Sequence, residues 1–388
     1  MTSALMPTYA RAALSFARGE GCWLIDRDGR RFLDFAAGIA VCALGHAHPA
    51  LIAALTDQAH RLWHCSNLFE VPEQEAVAAR LVEASFADVV FFGNSGAEAN
   101  ECAIKLARRH HAMAGRPERW RILAFDGSFH GRTLATLAAA GNPKNLLGFG
   151  PPVAGFDHVP FGDLAAAAAR IGPETAAILV EPIQGDGGIR MAPPGFLAGL
   201  RDLADRHGIL LMFDEIQTGI GRTGRMFAYQ QAGVMPDVIA LAKGLGGGFP
   251  VGACLATAKA AAGMTAGSHA STFGGNLLAM SVAAAVLDRV GDPDFLAGVE
   301  QAGARLAAGL DALVDRRPGV FDQRRGVGLM QGLHCVGDQG ATVARLREAG
   351  LIVAPAQDNV IRMLPPLIAG EEEVDTALGI LERMAAGD

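Results

Sequence analysis

Four short polar clusters each follow a run of β-forming residues, and their residue types suit covalent chemistry on a small charged molecule. Val89–Phe92 leads into Gly93-Asn94-Ser95-Gly96-Ala97. Small residues let the backbone approach a ligand, and a helix start beyond them offers free N–H groups and a positive dipole end to an anion. Ser95 adds a hydroxyl, although an ordinary turn with Ser95 as N-cap reads the segment equally well. No Gly-Lys-Ser/Thr follows, so this is not a nucleotide P-loop. Ser128-Phe129-His130-Gly131-Arg132-Thr133 sets an aromatic that can stack on a planar ring beside Arg132, whose guanidinium fork fits a carboxylate. Alone, that segment is better read as a core Phe and a solvated Arg. In Phe213-Asp214-Glu215-Ile216-Gln217-Thr218-Gly219, two acids end an apolar strand. A buried Asp214 needs a positive partner. Magnesium would require a phosphate loop elsewhere, and none is found, which leaves a cationic heteroaromatic nitrogen. In Ala242-Lys243-Gly244-Leu245-Gly246-Gly247-Gly248, a lysine directly follows the apolar run Val238–Leu241. Lysine is seldom buried unless paired or functional, and burial can free its amine for imine formation. The alternative is a lysine that snorkels to the surface.

The elements that must position these clusters read as strands alternating with helices. Val89–Phe92, Ile122–Phe125, Ala176–Val180, Ile209–Phe213, Val238–Leu241 and Ala253–Ala256 are short apolar runs, with a helical stretch over Gly195–His207. That alternation predicts an α/β fold with a mostly parallel sheet covered on both faces. Ligands bind such sheets beyond the carboxyl ends of the strands, where the four clusters fall. Trp23–Asp34 predicts a β-hairpin around Asp28-Gly29. After about Asn276 comes an Ala-rich helix, then strand-like pieces near Gly319–Phe321, Gly328–Leu333 and Val360–Leu364. The expected organisation is an N-terminal segment (1–45) joining a small α+β domain (276–388), with a large ligand-binding domain (46–275) between.

The 388 residues are 51% hydrophobic and 19% charged, with a net charge of -7 and no basic block, which argues against a nucleic-acid binder. Cys22, Cys42, Cys65, Cys102, Cys254 and Cys335 are scattered, without a Cys-x-x-Cys pair, as free thiols of a reducing compartment are. Met1–Arg11 lacks the apolar stretch of a secretory leader, and runs such as Ile209–Phe213 are too short to span a bilayer. A cytoplasmic enzyme without membrane association is expected. His60 and His64 stand four apart, but without the glutamate of a zinc-protease motif, so no metal site is expected. His46 and His48 read as turn residues, and His110 and His111 as a solvated helix end.

Together the clusters offer a phosphate cradle, a stacking aromatic, an acid for a ring nitrogen and an amine for an aldehyde. Those are the requirements of pyridoxal 5'-phosphate. Along nearly its whole length the sequence also resembles the class III, or ω-amino, aminotransferases, which use that cofactor on fold type I. The resemblance rests on Leu44-Gly45-His46-Ala47-His48-Pro49, Asn94-Ser95-Gly96-Ala97-Glu98-Ala99-Asn100-Glu101 and Phe129-His130-Gly131-Arg132-Thr133. It continues through Glu181-Pro182-Ile183-Gln184-Gly185, Asp214-Glu215-Ile216-Gln217-Thr218-Gly219, Lys243-Gly244, Ser271-Thr272-Phe273-Gly274-Gly275-Asn276 and Arg362-Met363-Leu364-Pro365-Pro366-Leu367.

The resemblance implies that Lys243 binds the cofactor aldehyde and shuttles a proton, with Asp214 as partner of the ring nitrogen. It implies further cofactor contacts at Ser95, Gly96, Ala97, Phe129, Glu215, Ile216 and Gln217, and at Thr272 reaching across from a second subunit. A homodimer with shared active sites follows. Gly38-Ile39-Ala40-Val41 is similar to members acting on N2-acetylornithine, whereas members acting on free ornithine usually carry tyrosine at Ile39. The implied reaction moves the δ-amino group of N2-acetylornithine to 2-oxoglutarate, giving N-acetylglutamate 5-semialdehyde and glutamate, a step of arginine biosynthesis. Arg132 and Ser271 would take the distal carboxylate, and Arg362, paired with Asp186, the α-carboxylate of glutamate. Succinylornithine, succinyl-diaminopimelate and other ω-amino acids are alternative donors, and a fold type I aminomutase or decarboxylase is a more distant reading. Three positions depart from the family pattern: Ala97 for Thr, Leu277 for Pro, and Asp186 for Glu. The shorter Asp186 should pair more loosely with Arg362.

Overall fold

The computed structural model describes residues 4–387. Met1–Ser3, the start of the segment read as lacking a leader, and Asp388 lie outside the described residues. A seven-stranded sheet forms the centre. Its strands, from edge to edge, are Val89–Gly93, Gly252–Ala256, Val238–Leu241, Leu210–Asp214, Thr175–Val180, Arg121–Phe125 and Phe156–Val159. Gly252–Ala256 runs antiparallel to both its neighbours, and the other pairings are parallel.

The continuous apolar runs have a direct cause. Side chains alternate across the sheet, and both faces are covered. Leu211, Phe213, Ile239, Leu241 and Leu255 enter the core on one side. Leu210, Met212, Val238, Cys254 and Ala256 enter the core on the other, against the helix Gly96–Met113 through Cys102, Ala103 and Leu106. Full burial of one such large side chain contributes about 1.5–3 kcal/mol.

The hairpin expected at Asp28-Gly29 is present. Trp23–Asp26 pairs with Arg31–Asp34, and Gly29 takes φ 83°, which favours glycine. Phe16–Glu20 adds an outer strand, and Leu33-Asp34 pairs in parallel with Leu351-Ile352, tying the two ends of the chain into one four-stranded sheet. A third sheet contains Phe321–Val327, Met330–Cys335, Val360–Met363 and Ala354-Pro355. The Ala-rich stretch after Asn276 is the helix Leu277–Val290, capped by the Asn276 side chain. No helix among the described residues is long and apolar enough to cross a membrane.

One expectation is overturned. His111 is not part of a solvated helix end: it is fully buried, and its Nε2 lies 2.9 Å from the Ala176 carbonyl oxygen. The helix Gly96–Met113 packs its last turn on the sheet, so the residue that looked terminal in the sequence falls on the inner face.

Candidate active site

A cavity of about 450 Å³ opens at the carboxyl ends of the central strands. All four polar clusters reach it. Ser95, Gly96, Ala97, Phe129, Arg132, Asp214, Ile216, Gln217 and Lys243 line it, joined by His130 and Glu181.

Ser95 precedes the helix Gly96–Met113, and its Oγ accepts a hydrogen bond from the Glu98 N–H at 3.3 Å. The N-cap and the ligand-facing readings therefore describe the same residue. Two glycines let the chain pack closely at this corner. A Cβ on Gly252 would lie 2.3 Å from the Ser95 carbonyl oxygen, and one on Gly96 would lie 2.8 Å from Ile216 Cδ1.

Asp214 ends its strand almost fully buried. Its Oδ2 accepts from Asn100 Nδ2 at 2.8 Å and faces His130 Nδ1 at 2.8 Å, while Oδ1 accepts from the Ile216 N–H at 3.1 Å. Burial lowers the affinity of His130 for a proton, but the Asp214 hydrogen bond and charge outweigh it, and the pKa is raised. The carboxylate is thus held in one orientation by a neutral amide and an imidazole.

Glu181 directly follows the adjacent strand, Thr175–Val180. It accepts from the Phe129 N–H at 2.9 Å and the Gly185 N–H at 3.3 Å. Burial, then the charge of Asp214, pushes it up to about 7. Phe129 is thereby anchored through its backbone, and the Arg132 guanidinium sits 5.6 Å from the centre of its ring.

Lys243 begins a single 3₁₀ turn, Lys243–Gly246, with φ 43°. Left-handed backbone at a residue with a side chain costs of order 1–3 kcal/mol and concentrates at functional sites. Burial, then the positive charge of Arg362, lowers its amine from 10.5 to about 8, against the pull of Asp214, Glu181 and Asp186.

The remaining expected residues stand outside the lining. Arg362 is buried; its Nη2 donates to Pro355 O at 2.8 Å and to Asp186 Oδ1 at 3.4 Å, a long contact for an ion pair. Ser271 accepts from Asn94 Nδ2 at 3.2 Å, one step back from the cavity. Thr272 is exposed. The Glu215 side chain does not face the cavity: its carboxylate accepts from the Ala228 and Tyr229 N–H groups at 2.6 and 2.8 Å, where the short helix Ala228–Ala232 begins. Burial pushes it up to about 7.

Sequence reasoning assigned no role to Asn100, His130 or Glu181, although each signal was present. Asn100 is a polar residue on the apolar face of its helix. Glu181 stands at the carboxyl end of a buried strand, one residue beyond it, as Asp214 stands at the last residue of its own.

The site fits pyridoxal phosphate on the structure's own terms. A glycine-bordered helix start suits the phosphate, a fixed buried carboxylate suits a cationic ring nitrogen, and a buried amine of lowered pKa suits an aldehyde. The Gln217 Oε1 and His130 Nε2 atoms, buried without a hydrogen-bond partner among the described residues, add polar groups at the same place.

The match to the aminotransferase class-III model spans residues 6–385, and the chain belongs to that family of pyridoxal-phosphate enzymes. It is 57% identical over 378 residues to the acetylornithine aminotransferase of Brucella melitensis, covering 97% of this chain and 94% of that protein. Among solved structures it is similar to the N-acetylornithine aminotransferase of Stenotrophomonas maltophilia, with 40% identity, a TM-score of 0.85 and coverage of 98% of this chain and 97% of that one. It is also similar to an ornithine aminotransferase of Toxoplasma gondii, described with partial occupancy of PLP at its active site. There the identity is 31%, the TM-score 0.95, and the coverage 99% of this chain and 92% of that one.

Proposed function

We propose that the enzyme transfers the δ-amino group of N2-acetylornithine to 2-oxoglutarate, giving N-acetylglutamate 5-semialdehyde and glutamate. The observation that carries this reading is the convergence of Lys243, Asp214 and Arg132 on one cavity. The names of the similar proteins supply the acylated donor.

In this reading Ser95, Gly96 and Ala97 hold the cofactor phosphate, Phe129 covers one ring face, and Gln217 approaches the ring hydroxyl. Asp214 holds the ring nitrogen protonated, and Asn100 and His130 fix its carboxylate for that task. Ile216 packs against the phosphate corner through Gly96. Glu215 acts at one remove, fixing the loop after Asp214. When bound, the cofactor supplies an aldehyde and an electron-accepting ring that eases cleavage of a C–H bond beside nitrogen.

Lys243 Nζ is the group that takes a proton from the substrate carbon and returns it, and its lowered pKa suits both directions near neutral pH. Arg132, exposed at the mouth, grips the distal carboxylate of either substrate, and Ser271 steadies that rim through Asn94. Arg362 binds the α-carboxylate of glutamate and 2-oxoglutarate. Its 3.4 Å contact with Asp186 is loose enough to exchange for a substrate carboxylate.

We infer a homodimer. Trp63, Leu68, Phe69 and Phe273 form exposed apolar surface close to Thr272, and Asn67 ties the segments together by donating to the Ser271 and Gly274 carbonyls at 3.0 Å. A second copy packed there would hide that surface and carry Thr272 towards the partner's phosphate site. The free thiols suit a reducing compartment, so we place the enzyme in the cytoplasm. The division at 1–45, 46–275 and 276–388 is retained as our proposal, supported by the pairing of Leu33 with Leu351.

The test is a panel of amino donors assayed with 2-oxoglutarate. N2-acetylornithine should give the highest kcat/KM, above succinylornithine, succinyl-diaminopimelate and ornithine. A clear preference for free ornithine would refute the acylated donor.

A further inference from the structure

A second cavity, of about 530 Å³, lies between the Arg190-Met191 strand and the Phe321–Val327 strand and shares no lining residue with the catalytic one. Three arginines face it, Arg190, Arg324 and Arg325, against one lining carboxylate, Asp358.

The three are not equally engaged. Arg324 donates to Asp311 at 2.7 Å and to Gln331 at 3.0 Å. Arg325 donates to Asp358 at 2.7 Å, to the Gly188 carbonyl at 3.2 Å and to Gln323 at 2.9 Å. The guanidinium of Arg190 makes no hydrogen bond among the described residues, and its one charge partner is Asp358 at 3.9 Å, already held by Arg325. Two guanidiniums thus share one carboxylate, and even with Asp311 counted the cluster keeps an uncompensated positive charge. A planar fork of that kind binds carboxylate or phosphate in two-pronged fashion. Phe161, Met191 and Pro193 add apolar lining, and the volume exceeds the need of an inorganic ion.

We propose that this cavity is a second ligand site, for a small organic anion whose carboxylate or phosphate is gripped by Arg190. Calorimetric titration of the holoenzyme, with its catalytic phosphate site filled, tests the idea. Citrate and glycerol 3-phosphate are each titrated at ionic strength matched with sodium chloride. At least one should bind once per chain, and which one binds identifies the head group. Binding should weaken at least 10-fold in R190Q and less in R190K, with kcat/KM unchanged in both. Equal binding by R190Q and the parent enzyme would overturn the proposal, as would no saturable binding of either anion.

Discussion

The sharpest consequence of the site's electrostatics concerns the amine of Lys243 before the cofactor is bound. Its pKa falls from 10.5 to about 8, first through burial and then through the charge of Arg362. At pH 7 that leaves about one amine in ten neutral, against roughly one in three thousand at the ordinary value, a bias worth about 3 kcal/mol. Only the neutral amine attacks an aldehyde. Capture of pyridoxal phosphate by the apoprotein, followed by stopped-flow absorbance from pH 6 to 10, should therefore rise through a midpoint near 8. Replacing Arg362 with glutamine removes a positive neighbour and makes protonation of Lys243 easier, so the midpoint should move upwards. It should stay below 10.5, because burial is the larger cause and remains. A thermal melt at pH 7 checks that the variant is folded. Identical midpoints in the two proteins, or a parent midpoint near 10.5, would refute the reasoning.

Asn100→Ala removes the 2.8 Å hydrogen bonds to Asp214 and to the His130 carbonyl at a fully buried position. A hydrogen bond to a charged group contributes about 1.5–3 kcal/mol, so the variant should melt earlier, and the part of that energy that orients Asp214 should appear as a fall in kcat/KM of roughly 10- to 150-fold at a temperature where both proteins are folded. Arg132→Ala should raise KM for the amino donor and for 2-oxoglutarate together, and an effect confined to cofactor affinity would contradict its assigned role. Glu215 carries its proton more tightly in the folded protein, up to about 7 against 4.5 for the ordinary group. Between those values the folded state binds more protons than the unfolded state, so stability falls as pH rises from about 4.5 to about 7. Urea melts of Glu215→Gln at pH 5 and pH 7 should show a smaller drop than those of the parent enzyme, with part of the slope kept by Glu181, which is raised to about 7 as well.

Much of the sheet was legible because burial on both faces writes itself as apolar runs. Leu210–Asp214 and Val238–Leu241 lie within a residue of their expected positions. The edge strand Phe156–Val159 was not visible, because Asp157 and His158 break the run. Asp157 is held there by Arg121 and Arg170, a partnership between distant segments that no local pattern records. The direction of Gly252–Ala256 was also hidden, since an antiparallel strand inside the sheet is as apolar as a parallel one. In the site, Lys243, Asp214 and Ser95 were legible from their places after strands. The side chain of Glu215 shows the limit of such reading. Its neighbour Asp214 faces the cavity, and the strand's alternation turns Glu215 the other way, onto the helix at Ala228. The Asp34 pairing with His46 at 2.8 Å joins residues read separately as hairpin and turn.

We propose Lys243 as the proton-carrying group of this aminotransferase. Its most direct test is glutamate formation from N2-acetylornithine and 2-oxoglutarate by Lys243→Ala, measured beside the parent enzyme with both proteins shown to be folded. The parent should turn over steadily, and the variant should show nothing above a trace if Lys243 carries the proton. Substantial turnover by Lys243→Ala would contradict it.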